Sequence, residues 1–170
     1  MTTIISIIHC RFELVPPVDQ PTSIEQLYQL TVLTNKYLLT GILRPWATTW
    51  LSSVIRQSQS GSTVPCTYQH ERLSWIAWEM GDPQLFTKSA ELLAHHCSIA
   101  ANGDLCYYNT PVNYGGYFTL TIKPPGIDET VRAFRLEYIK RALEIYRLAF
   151  EELRNPYSRN RAYGFCAKGG

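Results

Sequence analysis

Cys66 and His70 stand four residues apart, and His95, His96 and Cys97 follow one another further along. Thiolate and imidazole are the ligands of structural zinc, so these clusters are where chemistry is first sought. The dependable zinc signatures are CxxC pairs, or CxxC followed by HxxxH, and here each cluster offers at most one ligand pair. A small zinc-binding structural domain using Cys66, His70, His95 and Cys97 is therefore the alternative reading. His96 also falls on an apolar helical stripe, where a core histidine bonded to a carbonyl is the simpler expectation. His9 and Cys10 are neighbours, but adjacent residues point in different directions and make no nucleophile–base pair. No GxSxG, phosphate loop, HExxH or dinucleotide fingerprint occurs. NYGGY (113–117) reads as a turn. The carboxylates are spent on helix caps and surface pairs. No residue is assigned a catalytic or cofactor-binding role, and the expectation is that the protein is not an enzyme.

The aromatic residues read differently. Trp46 and Trp50 lie one turn apart and, with Trp75, suit core packing, given how much surface indole buries. Trp78 lies off the face that carries Ile76 and Met80, as a residue that packs on another layer or awaits a partner would.

The totals narrow the function classes. A chain of 170 residues and 19.5 kDa can bury a real core. Charged residues are 18%, below the usual figure of roughly 25%, which argues against disorder. A net charge of +2 is too small to argue for nucleic acid or anionic lipid. No apolar run approaches the ~20 residues that span a bilayer. MTTIISIIHCRF has no basic leader, and its apolar run stops at His9, unlike a secretory signal. Five cysteines, odd in number and widely spread, favour reduced thiols. The expected location is intracellular, cytoplasmic or nuclear.

The elements that position these residues are mainly helical. Residues 4–9 are too short for periodicity to separate strand from helix. VPPVDQP (15–21) is a break, after which Thr22 offers an N-cap with Glu25 in capping-box register. Ile24, Leu27, Tyr28, Leu30, Leu33 and Tyr37 recur at helical spacing. A second helix begins near Ile42, with Pro45 close to its start and Leu43, Trp46, Trp50, Leu51 and Val54 as its stripe. Residues 56–67 read as a polar linker. Leu73, Ile76, Ala77 and Met80 then mark one helix, which Gly81 ends. Asp82 and Pro83 open the next, with Leu85, Phe86, Ser89, Leu92, Leu93 and His96 as its stripe. Together they predict an antiparallel helical hairpin over 68–100. The Tyr-rich segment 101–126 is a loop or a small β-hairpin near 105–123. A long helix covers 127–155, with Val131, Phe134, Tyr138, Ile145, Ala149 and Leu153 along one side, and 156–170 is a loosely held tail.

The order of these elements resembles the C-terminal half of a BTB/POZ domain of a type associated with filamentous fungi, followed by a helical extension. The resemblance rests on Ile7, Ile8, His9, Arg11 and Phe12, then on Leu27, Tyr28, Leu30, Lys36, Tyr37, Arg44, Pro45 and Trp46. Trp75, Ile76, Ala77, Trp78, Glu79, Gly81 and Asp82 complete it. It covers residues 4 to about 97 and is carried by packing residues, so it speaks to fold. It implies a partial BTB/POZ-like domain over 1–55 and makes the opening segment the end of a helix. Cys10 stands where the family turn has Gly, and the strand-bearing first half of the domain is expected to be missing. The resemblance further implies an adaptor-like protein-interaction module. Its partners would be a ubiquitin-ligase scaffold or another BTB-type protein, with homodimerisation open because the missing half supplies most of that surface. Ile4, Ile5, Ile8, Phe12 and Trp78 are the expected interaction residues.

Overall fold

A computed structural model describes residues 2–16, 23–60, 67–99, 101, 103, 105–107 and 122–154. Thr22, Cys66, the Tyr-rich stretch 108–121 and the tail 156–170 lie outside the described residues. The chain is mainly α-helical and divides into two units, Met1–Val131 and Arg132–Gly170. Among the described residues no helix is long and apolar enough to cross a membrane.

In the first unit, α1 (Thr2–Ile8) leads into a 3-10 turn at Phe12–Leu14. Helix α2 (Ile24–Lys36) follows, then a 3-10 turn at Thr40–Leu43 that runs directly into α3 (Arg44–Ser60). Helices α4 (Thr67–Met80) and α5 (Pro83–His96) form the expected hairpin. The cap of α2 is Ser23, one residue later than the sequence suggested. The Gln26 N–H donates to Ser23 Oγ at 3.2 Å, and the Ser23 N–H donates to Gln26 Oε1 at 3.1 Å. Asp82 caps α5 as expected, its Oδ1 accepting from the Leu85 N–H at 2.9 Å. Helix α3 continues through Ser60, into the stretch read as linker. The first residue there that disfavours helix strongly is Gly61.

The hydrophobic core joins all of these elements. Ile7 and Val15 pack with Ile24 and Leu27 of α2, Trp50 and Val54 of α3, and Leu73 and Ile76 of α4. Helix α4 is the centre. Eight consecutive residues, His70–Ala77, are buried on every side, which is the signature of a helix enclosed by others rather than laid on a surface. It packs against α5, α2 and α3. The neighbours approach closely because the residues between them are small: Thr31 and Thr34 on α2, Ser74 and Ala77 on α4, Ser89, Ala90 and Ala94 on α5. The two buried threonine hydroxyls are satisfied within α2. Thr31 donates to the Tyr28 carbonyl at 2.8 Å, and Thr34 donates to those of Leu30 and Thr31, both at 3.1 Å. Glu79 ties the end of α4 to its neighbours by accepting from Asn35 Nδ2 at 2.9 Å and Thr40 Oγ1 at 2.8 Å.

Three helices end in the same way. After α1, α2 and α4 a residue at positive φ lets two amides fold back on the last turn, as in a Schellman motif. Around Gly81 (φ 73°), the Asp82 N–H reaches the Ala77 carbonyl at 2.9 Å. Leu38 (φ 57°) and Cys10 (φ 55°) hold the equivalent place after α2 and α1. There the Leu39 N–H bonds Thr34 O at 2.7 Å and the Arg11 N–H bonds Ser6 O at 2.8 Å. A side chain in this conformation costs roughly 1–2 kcal/mol that glycine does not. Cys10→Gly and Leu38→Gly are each expected to raise stability by about 1 kcal/mol. The check is a urea melt whose midpoint moves upward while its slope stays constant.

A short antiparallel ladder follows the hairpin. β1 (Cys97–Ile99) pairs with β2 (Leu105–Tyr107) in the register Cys97↔Tyr107, Ser98↔Cys106, Ile99↔Leu105. The small β-hairpin expected near 105–123 falls mostly outside the described residues; Leu105–Tyr107 pairs with the residues just after α5. The TLTI segment, apart from Ile122, lies outside the described residues. Helix α6 (Ile127–Arg154) begins in the first unit, where Ile127 and Val131 are buried and Lys123 pairs with Asp128 at 3.2 Å. From Arg132 the helix belongs to the second unit.

Candidate protein-interaction surface

The surface begins with how α1 divides its isoleucines. Ile4 and Ile7 are three residues apart and face the core, both buried. Ile5 and Ile8 share the opposite face and remain 49% and 54% exposed. Ile4 is therefore corrected from the expected interaction set: the chain covers it with its own residues, because its helical position is that of Ile7. The Schellman turn at Cys10 reverses the chain so that the 3-10 turn packs back against α1. That turn presents Phe12, 53% exposed, and Leu14, 54% exposed. Leu14 was not among the residues singled out from sequence. Its place one residue ahead of the buried Val15 is the signal that could have found it.

An aromatic stack supports this surface from below. The Phe12 ring lies 5.8 Å from Trp46, tilted 45°, and Trp46 lies 6.0 Å from Trp50 at 18°. Trp50 and Trp75 are buried as expected, while Trp46 is half-buried between core and surface. Trp78 lies on α4 with its ring 5.9 Å from Phe86 of α5, tilted 55°. The hairpin partner covers part of it and leaves 46% exposed.

Arg72, Glu25 and Tyr28 form one cluster between two helices of the first unit. Arg72 of α4 ion-pairs with Glu25 of α2, and its guanidinium carbon sits 4.9 Å from the centre of the Tyr28 ring. Burial lowers the Arg72 pKa. Burial chiefly, and the nearby Glu25 and Glu71 carboxylates, raise that of Tyr28. These groups clamp α2 to α4.

The metal alternative is not assembled among the described residues. His70 is buried and stacks on His96 with ring centres 6.4 Å apart and planes 3° from parallel. Cys97 is buried at the start of β1, and His95 is exposed. No group of three or more His, Cys, Asp or Glu side chains converges among the described residues, and Cys66 is not one of them. Neither ring nitrogen of His70 has a hydrogen-bond partner among the described residues. Its pKa falls to about 4, chiefly because burial penalises the imidazolium and secondarily because of the neighbouring His96. His9 and Cys10 are both exposed, and Cys10 serves as the turn residue after α1. Compared with protein-family models, curated proteins and solved structures, the chain matches none of them.

Proposed function

We propose that this chain is an adaptor-like protein-interaction module of BTB/POZ type, without catalytic activity. The observation that carries the reading is the exposure of Ile5, Ile8, Phe12 and Leu14 beside a core that the same two elements help to build. Apolar side chains presented together on a rigid support are the usual form of a docking surface. The BTB/POZ part of the proposal draws support from the chain order of α1, α2 and α3, with Arg44–Pro45–Trp46 opening α3. The positive φ at Cys10 also falls where the family turn has Gly. The helical hairpin α4–α5 carries the WIAWExGD residues, with Gly81 and Asp82 in their turn and capping roles. Partners of the kind this reading implies are a ubiquitin-ligase scaffold or another BTB-type chain. A reducing intracellular compartment, cytoplasmic or nuclear, accords with the scattered odd cysteines.

The test is a titration of the purified chain with the N-terminal domain of a cullin scaffold, together with sedimentation of the chain alone over a range of concentrations. A saturable complex of either kind, weakened at least about tenfold in the Ile5→Lys, Ile8→Lys double variant, is the expected result; that factor corresponds to about 1.4 kcal/mol. No complex of either kind, or one indifferent to the double substitution, contradicts the proposal.

A further inference from the structure

The second unit carries a pattern independent of the α1 surface. From Leu136 onward, α6 places Leu136, Ile139, Leu143, Tyr146, Phe150 and Leu153 at alternating steps of three and four residues. That is the a/d repeat of a coiled-coil seam, maintained for about two and a half heptads over roughly 27 Å of helix. All six side chains are between 50% and 80% exposed. A helix with so regular an apolar stripe draws its stability from a partner laid along it.

The flanks of the seam say what that partner is. On one side the adjoining row is Lys140, Arg147 and Arg154, each one position past a d residue. On the other side it is Arg135, Ala142 and Ala149, where two methyl groups allow close approach. The acids Glu137, Glu144 and Glu151 stand one row further out. Arg147 bonds Glu144 at 2.7 and 2.9 Å and also pairs with Glu151, which braces its guanidinium at the seam's edge. A second copy is a poor occupant. Parallel pairing sets Arg135 against Lys140 of the other copy and leaves Arg147 and Arg154 opposite alanines, while antiparallel pairing sets the basic row against itself. The tail 155–170 adds Arg159, Arg161 and Lys168 and contains no acid, so its charge does not match either.

We propose that this face of α6 binds an amphipathic helix of another protein whose flanking positions carry Asp and Glu. The apolar seam supplies affinity, and the basic row selects the partner and its register.

The experiment uses the full chain and two synthetic 21-residue helical peptides (a length chosen to span about three heptads). Both have leucine at the seam positions, one with glutamate and one with lysine on both flanks, and binding is followed by fluorescence anisotropy. The glutamate peptide is expected to bind at least about tenfold more tightly and to weaken as salt rises. Leu143→Asp should abolish binding, whereas Ile145→Asp, on the other side of the helix, should not. Lys140→Glu with Arg147→Glu should reverse the preference between the peptides, and circular dichroism confirms that each variant retains its helix. The charge-reversal pair keeps the proposal testable if Leu143→Asp unfolds α6. Equal binding of the two peptides, binding of neither, or a chain found to be dimeric until Leu143→Asp separates it would overturn the proposal.

Discussion

Ile76→Ala is expected to destabilise the protein by about 2–5 kcal/mol, among the largest effects of any single truncation in the chain. Ile76 is completely buried on α4, within the cluster that also takes in α2, α3 and α5. Removing three carbons there opens a space that α2, α3 and α5 cannot all close around, because each is held by other contacts of its own. The loss combines the transfer energy of the deleted carbons with the cavity left behind. Chemical denaturation measures it directly. A cost below about 1 kcal/mol would show that α4 is not the enclosed centre of the fold, since substitutions at exposed sites fall in that range.

The second large effect follows from His70. With 4% of its surface exposed and no partner on either nitrogen among the described residues, the ring is held neutral and its pKa is lowered to about 4. In the unfolded chain the same group titrates near 6.5. Above that pH both states are neutral and His70 contributes no pH dependence. As the pH falls below 6.5 the unfolded state takes up a proton that the folded state refuses, so stability declines. The decline ends near pH 4, where the folded state is protonated too. Its full extent is about 3 kcal/mol. Urea melts at pH 7, 5.5 and 4.5 should show the loss, and His70→Phe, which keeps a flat ring beside His96, should remove most of it. A wild-type stability that does not change over this interval would mean that the imidazole reaches solvent or a proton acceptor.

The residues that were legible in the sequence are those whose local chemistry admits one geometry. Gly81, Asp82 and Pro83 specify a turn, a cap and a first helical position in succession, and α4 and α5 end and begin there. Of the three tryptophans expected in the core, Trp50 and Trp75 are buried and Trp46 is half-buried. Other features were hidden by polar residues doing apolar work. The buried face of α2 is Ile24, Leu27, Thr31 and Thr34, whereas an apolar stripe ending at Tyr37 was expected. Threonine fits this face because its hydroxyl bonds the preceding turn and its methyl group packs. Likewise α4 reads as one-sided until the structure shows His70, Glu71 and Arg72 buried alongside Leu73. No single-sequence pattern marks a helix surrounded by neighbours when part of its circumference is charged.

The candidate surface was legible in outline. Ile5, Ile8, Phe12 and Trp78 are exposed, while Ile4 is not, because a seven-residue helix can turn only one face outward. In α6 the expected stripe from Val131 through Ile145 to Leu153 crosses two faces. Val131 is buried in the first unit, and Ile145 lies opposite the a/d seam on the far side of the helix. Val131, Tyr138 and Ile145, seven residues apart, stay on that one face, and only Leu153 belongs to the seam, so the stripe read from sequence passed over the row of Leu136, Ile139, Leu143, Tyr146 and Phe150.

Ile5 and Ile8 are left uncovered by the described residues of the chain, and the proposed docking role rests on that. The unfolding free energy of the Ile5→Lys, Ile8→Lys variant tests it most directly, because the added cations sit at the favourable C-terminal end of α1 and disturb only what packs on that face. The expected value lies within about 1 kcal/mol of wild type. A loss of several kcal/mol, as large as that caused by Ile7→Lys in the core, would contradict it.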